Sequence, residues 1–112
     1  MVRPRVRERV ASELHEKLAR LLLQEFADPE LQWVTIHEVL LTPDMRHAYV
    51  IFGVLENTHD VASVQAALER VAGRLRGMLG KRMHLRRIPE LHFIHEHHPK
   101  AVELHLRYGS RA

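Results

Sequence analysis

Apolar residues at Val6, Val10, Leu14, Leu18, Leu21, Leu22 and Phe26 recur every three or four positions. That spacing predicts an amphipathic helix from about Pro4 to Ala27. Pro4 suits its first turn, where a missing N–H costs nothing. Asp28-Pro29 ends it, because the residue before a proline is pushed out of the α region. The pattern then changes. Trp33 to Leu41 is rich in β-branched and large apolar residues, and Ala48 to Leu55 is apolar on both faces. Both read as strands, and the turn signal Thr42-Pro43-Asp44-Met45 between them predicts an antiparallel hairpin.

After a polar loop, Glu56 to His59, the helical period returns in Val61, Val64, Leu68, Val71, Leu75, Met78 and Leu79. Thr58 and Asp60 are the candidate N-caps. Gly73, Gly77 and Gly80 interrupt this stretch, each at up to ~1 kcal/mol of helix propensity relative to Ala. One kinked helix or two consecutive helices fit the pattern. Ile88-Pro89 closes it, and Leu91 and Phe93 begin a third strand. Beyond Pro99, Val102, Leu104, Leu106 and Tyr108 alternate like a strand but equally suit a loose helical tail. The expected organisation is one α+β domain over residues 1–98, in the order helix, strand, strand, helix, helix, strand, with a tail over 99–112 whose structure stays open.

Composition narrows the class. The chain has 112 residues, 46 % of them apolar and 28 % charged, which is globular. A chain this size can bury roughly 60–70 % of its unfolded surface in one core. Its longest apolar run has eight residues (Ala48 to Leu55), well short of the roughly 20 a spanning helix needs. Cysteine is absent, so disulfides, thiolate nucleophiles and zinc–thiolate sites are excluded together. Met1 to Val10 carries four arginines and no apolar run, unlike a secretory signal. A cytoplasmic, monomeric protein without membrane contact is expected.

Charge changes the picture most. The net charge is only +3, but Arg70, Arg74, Arg76, Lys81, Arg82, Arg86 and Arg87 stand within eighteen residues that hold no acid. Arg3, Arg5, Arg7 and Arg9 form a second cluster, against Glu8 alone. The remainder of the chain is therefore acidic overall. Such segregation offers one positive surface to a polyanion. Fourteen of the seventeen cations are arginine, whose planar fork suits phosphate. On a continuous helix Arg70, Arg74 and Lys81 share one face, opposite the apolar stripe.

Several blocks together resemble the ribosome-binding factor A family. They are Arg7-X-X-Val10-Ala11, Asp28-Pro29-Glu30-Leu31, Val34-Thr35, Asp44-Met45-X-X-Ala48-Tyr49-Val50, and the long stretch from Gly73 to Phe93. The resemblance implies a type II KH-like fold with a helix kink at Val71-Ala72-Gly73, where the family usually has Ala-X-Gly. It also implies binding to the immature small ribosomal subunit and its 16S rRNA, support of late maturation and 5′-end processing, and release by a ribosome-associated GTPase. Two further departures stand out. Glu30 replaces the family's usual arginine, and His95-Glu96-His97-His98-Pro99 replaces an acidic, serine-bearing stretch.

Gly77-Met78-Leu79-Gly80 matches the GXXG pattern with which KH domains clamp nucleic-acid backbone. Met78 and Leu79 fall on the apolar face with Val71 and Leu75, however, and read as core. His95, His97 and His98 are spaced for chelation on a strand, but without cysteine or a paired helical histidine the metal signal is weak. No metal or other cofactor is expected. Trp33, Phe52 and Phe93 occupy strand positions and read as core. The three serines lie in no nucleophile elbow, and Gly80-Lys81 lacks the rest of a phosphate-binding loop. A non-enzymatic RNA-binding protein is the reading. A generic KH-type binder of another RNA and a module for an acidic protein partner are its rivals.

Overall fold

The first apolar stripe folds as helix α1, Pro4–Gln24, in the computed structural model, which describes residues 3–55 and 59–109. The helix stops three residues before the expected Ala27. Glu25 caps it through a backbone bond to the Leu21 carbonyl (2.9 Å), and Phe26 then turns into the core. The Phe26 carbonyl, which leaves the helical ladder here, accepts from Gln32 Nε2 (2.8 Å). A short 3₁₀ turn, Pro29–Leu31, leads into the sheet.

Strands β1 (Val34–Leu41) and β2 (His47–Val54) form the expected antiparallel hairpin. The Thr42 hydroxyl donates to the Asp44 carboxylate (2.7 Å), which also takes the Arg46 N–H (3.0 Å), and Met45 adopts a left-handed φ of 61°. These bonds hold Asp44 below the usual carboxylate range. A bulge at His37 shifts the register between Ile36 and Glu38. The alternation therefore slips by one, so that Ile36, Val39 and Leu41 all face the same core. The His37 ring lies over Gly53 beside Glu96 (3.3 Å), in space that any Cβ at residue 53 would invade.

Helix α2 (Val61–Arg82) crosses back to β3 (Glu90–His95), which pairs parallel to β2 and completes a mixed sheet of order β1-β2-β3. Asp60 is the N-cap, and its carboxylate accepts from Ala62 N–H (2.9 Å) and from the Ser63 hydroxyl. Thr58, the other candidate cap, lies outside the described residues. Of the two arrangements the sequence allowed, two consecutive helices are set aside, because α2 runs as one helix through Val71-Ala72-Gly73 and all three glycines. Val64, Leu68, Val71, Leu75 and Leu79 are all buried along one stripe. Burying each leucine stabilises by roughly 2 kcal/mol, which outweighs the glycine cost of up to ~1 kcal/mol each. Met78 and Leu79 pack on this core, as their phase implied, and the GXXG segment is helix rather than loop.

Helices α1 and α2 cover one face of the sheet, where Phe52 and Phe93 are buried as expected. Trp33 is not core. It precedes β1 and is 49 % exposed, near the equally exposed Leu55, whose backbone N–H bonds to its carbonyl. Of the two readings of the segment after residue 98, the helical one holds, as a packed helix rather than a loose tail. This segment forms helix α3, Pro99–Tyr108, with His98 Nδ1 accepting the Lys100 N–H (3.0 Å) as a cap. Ala101 and Leu104 of α3 bury against Leu40 and Ile51 on the opposite sheet face. His95 consequently ends β3, His97 lies in the following turn, and the three histidines do not share a strand face.

Two measurements check this account. Because α2 is continuous and a Cβ at Gly73 or Gly77 meets open space, Gly73→Ala and Gly77→Ala should each raise stability in urea melts, by up to ~1 kcal/mol. A break at Gly73 would instead make its substitution costly. The Ser63 hydroxyl and then the Ala62 N–H hold the Asp60 carboxyl below its ordinary value. The cap's contribution is therefore present above the unfolded carboxyl pKa and fades as pH falls through the lower folded one. Asp60→Asn keeps the cap but loses the titration, so its stability should fall less between pH 5 and pH 2. Parallel acid limbs for the two proteins would show that Asp60 contributes nothing there.

Candidate nucleic-acid interface

The apolar stripe of α2 fixes where its charges go. With Val71, Leu75 and Leu79 turned inward, Arg70, Arg74 and Lys81 all emerge exposed on the opposite side. Gly73, Gly77 and Gly80 are exposed beside them, and at Gly73 and Gly77 the helix backbone is bare along this face. A polyanion can approach such a surface more closely than one carpeted by side chains.

The seven cations have unequal surroundings. Arg76 donates from Nε to the Pro89 carbonyl (3.1 Å) and from an Nη to the Ile88 carbonyl (3.0 Å), which pins the loop before β3 along the helix. Arg82 donates to the Met78 carbonyl (3.1 Å) and lies 3.6 Å from Glu25. Arg70 pairs with Asp28 at 3.3 Å. Both ion pairs are solvent-exposed and add little stability. The Arg74 guanidinium sits 4.8 Å above the ring of Phe26, on the segment where α1 has just ended. That stacking orients the guanidinium without neutralising it. Among the described residues Arg74, Lys81, Arg86 and Arg87 have no acidic partner, and all four are exposed.

Phe26 and the acidic Glu25 and Asp28 are the part of this surface that sequence reading missed. They lie more than forty residues from their partners, and no local spacing signals such pairs. The N-terminal arginines begin α1, whose first turn has no acid, and Arg7 lines a groove with Ser12, His15, Glu38 and Tyr108.

His84 apart, the histidines lie on other parts of the molecule. His84 is exposed within the basic stretch, whereas His92 lies on the sheet face that carries α3. Burial is the main cause lowering the pKa of both His92 and His95, which favours their neutral forms. His95 and His97 meet edge to face at 5.2 Å, and His95 also lies edge-on to Phe52.

The family model for ribosome-binding factor A matches residues 6–104, which is most of the chain. The chain belongs to the ribosome-binding factor A family. It is 42 % identical over 89 residues to ribosome-binding factor A of Dechloromonas aromatica, covering 80 % of this chain and 72 % of that one. To the Cupriavidus taiwanensis protein it is 41 % identical over 95 residues, covering 85 % and 73 %. The crystal structure of the Thermus thermophilus factor superposes with a TM-score of 0.70 at 27 % identity, covering 79 % of this chain and 93 % of that one. A homology model of the T. thermophilus factor, as fitted into the cryo-EM map of a 30S–RbfA complex, gives 0.63 at 29 % identity, covering 74 % and 87 %. The family is one of ribosome-binding factors, not enzymes, and the α+β fold read from the sequence is the fold of its solved members. Among the described residues no helix is long and apolar enough to cross a membrane.

The different surroundings of the cations make a testable division. Arg76→Gln removes two bonds that hold the loop and should lower stability by roughly 1 kcal/mol. Arg87→Gln, from an exposed side chain, should leave the urea midpoint unchanged. Equal effects would mean that the two carbonyl bonds do not hold the loop.

Proposed function

We propose that this chain binds the immature small (30S) ribosomal subunit and its 16S rRNA through the basic side of α2 and the loop that follows it. It thereby supports late subunit maturation and processing of the rRNA 5′ end. One observation carries the reading: Arg74, Lys81, Arg86 and Arg87 are exposed and unpaired among the described residues, beside helix backbone bared by glycine. Cations free of acidic partners keep their full charge for phosphate, while Arg76 and Arg82 spend their donors on backbone carbonyls. The fitting of the T. thermophilus relative into a 30S complex map supports the choice of target.

In this reading the protein acts in the cytoplasm as a monomer, without cofactor or catalytic step. It holds a region of rRNA until maturation is complete, and a ribosome-associated GTPase then releases it. Arg70 takes part by exchanging Asp28 for phosphate.

Each phosphate contact releases counterions, so losing one flattens the salt dependence by about 0.7–0.9 log units per log unit of salt. Changing Arg74, Lys81 and Arg86 together to Gln should weaken binding to purified precursor 30S subunits and lower that slope by roughly 2 to 3. Circular dichroism should stay native. Unchanged affinity and slope would remove this face as the docking surface. On density gradients of lysate the parent protein should sediment with free small subunits. Sedimentation with other RNA, or in complexes that survive nuclease, would replace the ribosomal target by another RNA or by an acidic protein.

A further inference from the structure

We propose that His47, Glu90 and His92 form a binding site for a divalent first-row transition metal ion, with Zn²⁺ as the representative. The site is made by strand pairing. In the parallel β2–β3 ladder His47 lies opposite Glu90 and Tyr49 lies opposite His92. Glu90 and His92 are two residues apart, so both project from the same sheet face as His47. Their ligand atoms, one from each residue, all lie within 4.8 Å of one another. His47 Nδ1 and His92 Nε2 are 3.0 Å apart, and a Glu90 oxygen is 3.9 Å from His47 Nδ1. Two nitrogens at that separation both reach an ion about 2.0–2.1 Å away, at an angle of about 91–97°. The carboxylate completes the set by swinging less than about 1 Å, a movement that an exposed glutamate makes freely.

The backbone under the site is already fixed. The Glu90 N–H donates to the Arg46 carbonyl (2.8 Å), which locks the start of β3 against the start of β2. The His92 ring stacks on Tyr49 (5.1 Å between centroids, 26° between planes), and Tyr49 in turn stacks on Tyr108 of α3. Two imidazoles and one carboxylate select zinc-like ions over Mg²⁺ or Ca²⁺, which prefer all-oxygen shells. Three protein ligands leave further positions open to water. The site lies on the α3 side of the sheet, away from the α2 face, so it stands or falls independently of the RNA-binding reading. Its plain rival is an ordinary imidazole–imidazole hydrogen bond.

The test is titration of the full chain, stripped of metal, with ZnCl₂. Calorimetry should give one ion per chain. Long-range ¹H–¹⁵N spectra of the unaltered protein should show His47 Nδ1 and His92 Nε2 as the nitrogens that shift. Zn²⁺ should raise the melting temperature of the parent and not that of the His47→Gln/His92→Gln variant. His92→Gln alone should weaken binding by more than about tenfold, and His97→Gln should leave it unchanged. The proposal is overturned if no saturable binding occurs, if the shifting nitrogens belong to His95, His97 or His98, or if the double variant still takes up one ion. Because the spectra use the unaltered chain, a variant that fails to fold does not blunt the test.

Discussion

Burial of one apolar stripe on α2 is the constraint on which the rest of this molecule depends. Val64, Leu68, Val71, Leu75 and Leu79 are almost fully removed from water against the sheet and α1. That burial holds together a helix whose own propensity is poor, since three glycines fall in its second half. It also sets the rotation of the helix. Once the stripe faces in, Arg70, Arg74 and Lys81 have only one direction left, and the glycines come to lie beside them. Packing and the placement of the basic face are therefore two consequences of one helical phase.

The same packing sorts the cations by task. The loop between α2 and β3 has to return along the helix so that β3 can pair with β2, and Arg76 secures that return through the carbonyls of Ile88 and Pro89. The end of α1 lies against the basic side of α2, where Asp28 and Glu25 meet Arg70 and Arg82, and Phe26 supports Arg74. A run of seven positive charges thus resolves into one structural arginine, one tied to a carbonyl and a nearby glutamate, one paired with an aspartate and four without acidic partners among the described residues. The free ones cluster around the last turns of α2 and the following loop. This division explains how a basic stretch can hold a fold together and still present charge to a polyanion.

Between the two sheet faces there is a division of labour. One carries α1, α2 and the main core. The other carries α3, a smaller apolar cluster and a row of rings in contact, from His47 through His92 and Tyr49 to Tyr108. Alternation along β3 places Leu91 and Phe93 in the first layer and His92 and Ile94 in the second. The histidine content that looks scattered in sequence is therefore partly gathered by the parallel pairing of β2 with β3.

What the sequence by itself determined was whatever depends on local periodicity: α1, the hairpin, α2, the start of β3, and the segregation of charge on α2. Those signals survive because an amphipathic element declares its buried face within a few turns. The family blocks added the fold type on the same footing. Tertiary structure decided the rest. Whether residues 61–82 form one helix or two depended on the strength of their packing, which no helix propensity contains. The bulge at His37, the exposure of Trp33, and the helical state of residues 99–108 each follow from which surface was available to cover them. The partners of Arg70, Arg74 and Arg76, and the meeting of His47 with Glu90 and His92, join residues far apart in the chain. Such pairs come together only when strands choose their neighbours, and that choice is made by the whole core at once.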